Sequence, residues 1–211
     1  MLTLTGCAKK EEVKEKKVTA EKKAALAKRP TPSDKPITEE RVLFSFERDL
    51  RGWEIPDWAL EKDDYVAKDI EISKDVADEG SSSLKVTCDF PGKRWTAALI
   101  ELEQYLDFTP YREIAIDIYI PEEVPLGLRG RIILTVGENW KFTEMTRAIP
   151  LVPGEWITIK ASIEPGSYDW KRTVPDESFR ADVRKIAVRI ESNKKPAYKG
   201  PVYIDSVKIC K

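Results

Sequence analysis

Glu113-Ile114-Ala115-Ile116-Asp117-Ile118-Tyr119-Ile120 is the stretch on which the fold turns. Isoleucine takes every second position, which is the two-residue period of a strand with one face buried. No arrangement at helical spacing gathers these four isoleucines onto one stripe. The same alternation recurs on both sides of it. Upstream, residues 42–47 and 83–88 are strand-like; downstream, 131–136, 156–161, 185–190 and 202–209 repeat the pattern. Weaker alternation at 67–72, 95–101 and 141–149 predicts further strands.

Turn chemistry separates these segments at Asp78-Glu79-Gly80, Pro91-Gly92, Pro121, Pro153-Gly154, Pro165-Gly166 and Lys199-Gly200-Pro201. About ten short strands punctuated in this way predict an all-β chain, a two-sheet antiparallel sandwich. The segment 175–183, with Asp176 and Glu177 near its start, is the one short helix expected. Strands do not alternate with helices, which argues against a parallel α/β sheet.

Composition removes several classes of function. The net charge is −1 although 35% of the residues are charged. Nucleic-acid binding needs an excess of basic residues over a face, so no nucleic-acid partner is expected. There is no histidine. That excludes the Ser-His-Asp and Cys-His arrangements and every His-containing zinc site. The three cysteines, Cys7, Cys88 and Cys210, are too few and too scattered for a Cys-only zinc site or a disulfide framework. Cys88 and Cys210 fall in strand-like segments, and the sequence leaves open whether they are bonded.

The first forty residues have another character. Residues 1–7 end in Leu4-Thr5-Gly6-Cys7, which resembles the lipobox of bacterial lipoproteins, in which the cysteine is lipidated. A basic n-region and a full apolar h-region do not precede it. The resemblance implies a protein of the bacterial cell envelope, facing outside the cytoplasm and touching the membrane only through acyl chains. Residues 8–40 are a charged linker, rich in Lys, Glu and Ala and then in proline. Residues 41–211 carry the sandwich.

Within that body, Phe44-Ser45-Phe46-Glu47 followed by Gly52-Trp53-Glu54 resembles the opening of jelly-roll carbohydrate-binding modules of the galactose-binding-like type. So do residues 79–86, Pro153-Gly154-Glu155-Trp156, and the closing Pro201-Val202-Tyr203-Ile204-Asp205. The resemblance implies a jelly roll and a structural calcium between the first and last strands. Glu47 and Asp205 would supply its carboxylates, with carbonyls from the turn ending at Gly80.

It also implies a polysaccharide or oligosaccharide ligand, held by exposed rings stacked on the C–H faces of the sugars. Trp95, Trp140 and Trp170 sit beside charged residues and are the expected platforms, whereas Trp53 and Trp156 are expected in the core. Trp58, in Pro56-Asp57-Trp58, reads as capping an edge. Arg94, Glu101, Glu138 and Arg189 are candidates for hydrogen bonds to the ligand.

Three functions compete on these terms. The first is a non-catalytic glycan-binding domain of a surface-anchored lipoprotein. The second is a scaffold domain holding another cell-envelope protein. The third, a glycoside hydrolase, needs two placed carboxylates. With 37 acidic residues, abundance alone does not argue for it, and the sequence carries no catalytic motif.

Overall fold

A computed structural model describes residues 36–193 and 195–211. The lipobox-like residues 1–7 and most of the linker lie outside the described residues.

Twelve strands form the body: β1 (Glu40–Phe44), β2 (Trp53–Glu54), β3 (Ala67–Ser73), β4 (Ser83–Pro91), β5 (Ala97–Leu106), β6 (Glu113–Tyr119), β7 (Leu128–Val136), β8 (Lys141–Glu144), β9 (Ile149–Pro150), β10 (Trp156–Ser162), β11 (Val183–Ser192) and β12 (Ala197–Cys210). Two short helices, α1 (Asp57–Leu60) and α2 (Glu177–Ala181), sit in the connections. The strands make two six-stranded sheets. The first runs β10-β6-β12-β4-β3 with β1 beside β12; the second runs β2-β5-β11-β7-β8 with β9 beside β7. Every ladder is antiparallel. The expected all-β sandwich is the fold observed.

The alternating isoleucines of β6 lie at its centre. Ile114, Ile116 and Ile118 of β6 are fully buried and face the second sheet. From that sheet Ile132, Leu134, Ile186 and Val188 point back at them. Gly130 of β7 marks how closely the sheets approach, because a Cβ there would lie 2.2 Å from Ile159 Cδ1 and 3.0 Å from Ile118 Cδ1.

Differences from expectation cluster at the ends of strands. Residues 45–47 leave β1, with Phe46 at a φ of 54°. The stretch 141–149 divides into β8 and β9, which pair with different parts of β7. The helix expected at 175–183 is present as α2, where the Asp176 carboxylate accepts the Phe179 N–H at 2.8 Å. Neither β2 nor α1 has a strand or helix period in the sequence, since both are too short to show one.

The two buried thiols cannot be bridged. Cys88 pairs across the ladder with Gly200, ten residues before Cys210 on the same strand. At about 3.3 Å per residue that separation is on the order of 30 Å, and a disulfide needs Cα atoms within about 7 Å. Both cysteines are free and buried.

Candidate functional site

The outer face of the second sheet is built by alternation. On β7, Leu128, Gly130, Ile132 and Leu134 face the core, which turns Arg129, Arg131, Ile133 and Thr135 outward. The ladders set these beside Glu191, Arg189, Ala187 and Lys185 of β11, and beyond them Ala97, Leu99, Glu101 and Glu103 of β5. On the other flank, Phe142 of β8 pairs with Thr135 and Glu144 with Ile133.

Near one end this face is hollowed into a groove of about 300 Å³. Its wall is the segment carrying α1, which brings Trp58 and Tyr65. Trp95, Leu99, Arg189, Ile133 and Phe142 line the rest. Trp95 is 53% exposed, and Trp58 and Phe142 are comparably open. The Arg189 guanidinium lies 5.9 Å from the Trp95 ring centroid, and Lys62 Nζ sits 4.6 Å from that of Trp58.

A second aromatic cluster occupies the far end of the same face. Tyr105 lies six residues beyond Leu99 on β5, about 20 Å along the strand. It meets Trp140 edge-on at 6.4 Å. The Arg184 guanidinium lies against both rings, 5.2 and 5.1 Å from their centroids, and is tied to Asp182 at 2.9 Å. Trp140 is held at a φ of 50° in the β7–β8 turn. That conformation costs a non-glycine residue about 1–2 kcal/mol, and it leaves the ring 40% exposed.

Ion pairs pave the floor between the clusters. Arg131 Nε meets Glu191 at 2.8 Å, and Arg189 bridges Glu191, at 2.8 Å, and Glu144. Lys171 reaches Glu144 at 2.5 Å. Lys185 lies 2.7 Å from Glu101 and 3.0 Å from Glu103. Burial opposes ionisation of Glu144, but the Lys171 hydrogen bond and the charges of Arg189 and Arg131 outweigh it. The carboxyl is held below its ordinary range.

The residues singled out from sequence are thus only partly brought together. Trp95, Trp140 and Arg189 share the outer face, and Glu101 lies on its floor. Arg94 is exposed beside the groove, paired with Asp64 at 3.2 Å. Glu138 is exposed in the turn that carries Trp140. Trp170 is a correction: it is 3% exposed, donates from Nε1 to the Ser162 carbonyl at 2.7 Å, and packs on Phe179. The charged neighbours that suggested exposure, Asp169 and Lys171, are themselves exposed while the ring between them is not.

Trp53 is in the core as expected. Trp156 is not: it lies half-buried on the outer face of the first sheet against Tyr119, 5.4 Å between centroids. Sequence reasoning missed Tyr65, Tyr105 and Phe142 and gave Trp58 only an edge role. Outward parity on β5 and β8 was the signal available for Tyr105 and Phe142.

No protein-family model matches the chain, and no curated protein matches it by sequence. Solved structures do match. One is the first family-27 carbohydrate-binding module of Caldicellulosiruptor saccharolyticus, in complex with mannohexaose. It has 18% identity and a TM-score of 0.56, covering 82% of this chain and 97% of that one. Another is a family-28 carbohydrate-binding module specific for non-crystalline cellulose. It has 14% identity and a TM-score of 0.56, covering 82% and 96% of the two chains. The chain shares their β-sandwich fold.

In this sandwich the residues expected to hold calcium do other work. Glu47 Oε1 accepts the Ser81 and Ser82 N–H groups at 2.9 and 3.1 Å, and Oε2 accepts the Ser81 hydroxyl at 2.8 Å. A Cβ at Gly80 would lie 2.3 Å from Glu47 Oε1, so only glycine lets the carboxylate close on the turn. Asp205 Oδ2 accepts the Asp78 and Glu79 N–H groups at 3.0 and 3.2 Å, and Oδ1 accepts that of Ser206 at 2.7 Å.

The turn therefore meets both carboxylates with its N–H groups, whereas the calcium site expected here called for its carbonyl oxygens. Among the described residues no group of three or more acidic, cysteine or histidine side chains is placed to hold a metal. As arranged, Glu47, Asp205 and the Gly80 turn do not fit calcium. They form a pair of clamps on one turn.

Proposed function

We propose that this chain is a non-catalytic carbohydrate-binding domain whose ligand lies across the outer face of the second sheet. The observation that carries the reading is the open groove in which Trp58, Trp95 and Phe142 are exposed around Arg189, on a sandwich with the fold of modules known to bind oligosaccharides. An aromatic ring left half in water gains by stacking on the apolar face of a sugar. About 60 Å² covered at roughly 25 cal/mol/Å² contributes about 1.5 kcal/mol per ring. Three rings give about 4–5 kcal/mol before costs, a millimolar affinity that hydrogen bonds to the floor would tighten. Such a site suits an extended chain gripped at several weak subsites, and the Trp140–Tyr105 cluster would engage a longer ligand.

The floor's electrostatics support binding without hydrolysis. A glycosidase general acid needs a raised pKa, whereas Glu144 is held low by Lys171, Arg189 and Arg131. The sandwich would stand at the bacterial cell envelope, tethered by its charged linker to a lipid on Cys7.

Affinity electrophoresis through gels containing mannan, xylan, β-glucan and pectic polysaccharides tests the binding reading. Retardation by at least one polysaccharide, lost in Trp95→Ala, is the expected result. Unretarded migration through all of them overturns it.

A further inference from the structure

The outer face of the second sheet is electrically polarised along its strands. At the Trp95 end, Arg129, Arg131, Arg189 and Lys171 are set against two carboxylates, Glu144 and Glu191. On this part of the floor, four cations against two anions leave an excess of two positive charges, and on the groove wall Lys62 adds to it while Arg94 is matched by Asp64. Towards the Trp140 end the balance reverses, because Arg184 is matched by Asp182 and Lys185 is shared by Glu101 and Glu103.

Of the four floor cations, Arg129 is the one left without an ion pair among the described residues. It stands outward on β7, half-buried, and pairs across the ladder with Glu191. The Glu191 Oε1 atom, however, already accepts from Arg131 at 2.8 Å and from Arg189 at 2.8 and 3.0 Å. Arg131 spends its remaining amino groups on Glu191 Oε2 and the Met145 carbonyl. Arg129 has no hydrogen-bond or ion-pair partner among the described residues. Its guanidinium therefore offers a complete fork of donors beside the groove, and such a fork matches the two oxygens of a planar carboxylate.

The geometry points to a ligand that carries carboxylates: the groove takes a uronate-bearing glycan, with a sugar stacked on Trp95 and an acid group received by Arg129 beside Arg189. This rests on the carbohydrate-binding reading and narrows it. The chain as a whole has a net charge of −1, so bulk attraction for a polyanion cannot substitute for the local patch.

Isothermal titration with oligogalacturonides, their fully methyl-esterified forms, mannohexaose and xylohexaose tests the inference on the wild-type protein, Arg129→Gln, Arg129→Lys and Trp95→Ala. The acid oligomer is expected to bind roughly tenfold tighter than its ester, a difference of about 1.4 kcal/mol. That ratio should shrink as sodium chloride is raised, because the charges are exposed to screening. In Arg129→Gln the acid-to-ester ratio falls to about one, and Arg129→Lys, which keeps the charge and loses the fork, lies between.

Ester or neutral hexaose binding as tight as the acid overturns the inference and leaves the carbohydrate-binding reading standing. An acid preference that survives Arg129→Gln overturns the role given to Arg129. Absence of binding by every oligosaccharide overturns both.

Discussion

The carboxylate of Asp205, wholly buried on β12, accepts the backbone N–H of Asp78 at 3.0 Å across 127 residues of sequence. It reaches that turn because β12 bulges between Asp205 and Lys208, with Ser206 at a φ of 47°. Lys208 then spans the neighbouring acids, 2.8 Å from Glu79 and 3.3 Å from Asp117. The contact joins the last strand to the loop before β4, and it sets how the fold responds to acid.

Burial pushes the Asp205 carboxyl up to about 6, against the pull of its three N–H donors. Asp78 is raised as well, first by burial and then by the charge of Asp117. Above pH 7 Asp205 is ionised in both the folded and unfolded chains, and holding that charge in the interior costs stability. As pH falls through 6 the folded protein takes the proton first, so stability rises until the unfolded chain protonates near pH 3.9. Melting followed by circular dichroism is expected to show a higher Tm at pH 5 than at pH 7.5, by about 1–3 kcal/mol of stability. Asp205→Asn lowers Tm at both values and flattens the slope. A Tm that drops steadily from pH 7.5 to pH 5 contradicts this account.

Gly130 sets the spacing of the two sheets. Its backbone is unstrained, so the effect of adding a side chain is purely one of space, and the obstructing atoms are the ends of Ile159 and Ile118. Gly130→Ala is expected to cost about 1–3 kcal/mol through overpacking, and Ile159→Val in the same chain should return part of that loss. Urea denaturation of the single and double variants measures it, and strict additivity of the two changes would refute the contact as the cause.

The cysteines give a direct check on strand register. Burial raises both thiols, with Cys210 pushed to about 11 and Cys88 higher still, so neither is a ready nucleophile. In native protein Cys88 and Cys210 should resist a thiol reagent, and in denaturant both should react without prior reduction. A reductant should leave Tm unchanged. Loss of both thiols from the denatured count would mean a bridge and a different β12 register.

How much of this was legible beforehand depended on period. The long strands around Ile116, Val188 and Ile204 announce themselves because alternation over seven or more residues has no other physical reading. The two-residue β2 and four-residue α1 carry no period, so the wall that completes the groove around Trp58 stayed hidden. The site was half legible for a related reason. Parity places Arg129, Arg189 and Phe142 on one face only once strand neighbours are known, and neighbours are set by the pairing of distant segments. Trp170 misled because polar neighbours in sequence do not fix where a ring points, and its indole N–H found the Ser162 carbonyl inside. Glu47 and Asp205 both close on the turn around Gly80, and the sequence could not show that the turn would present N–H groups to them.

Trp95 and Trp170 provide the sharpest contrast between binding and folding. Trp95 is half in water, beside Arg189 and the groove wall. Trp95→Ala should leave Tm within a degree or two of wild type, since exposed positions contribute within about 0.5 kcal/mol, while ligand affinity drops by roughly tenfold or more, the loss of about 1.5 kcal/mol of stacking. Trp170 lies within the 165–175 segment, packs on Phe179 and ties that segment to the Ser162 carbonyl. Trp170→Ala should cost about 3–5 kcal/mol of stability, and the fraction that remains folded should keep its affinity for sugar. Melting curves and affinity electrophoresis on the two variants separate the outcomes. An equal loss of affinity in both would mean that the groove depends on the core around Trp170, and the assignment of the ligand to the Trp95 face would fail.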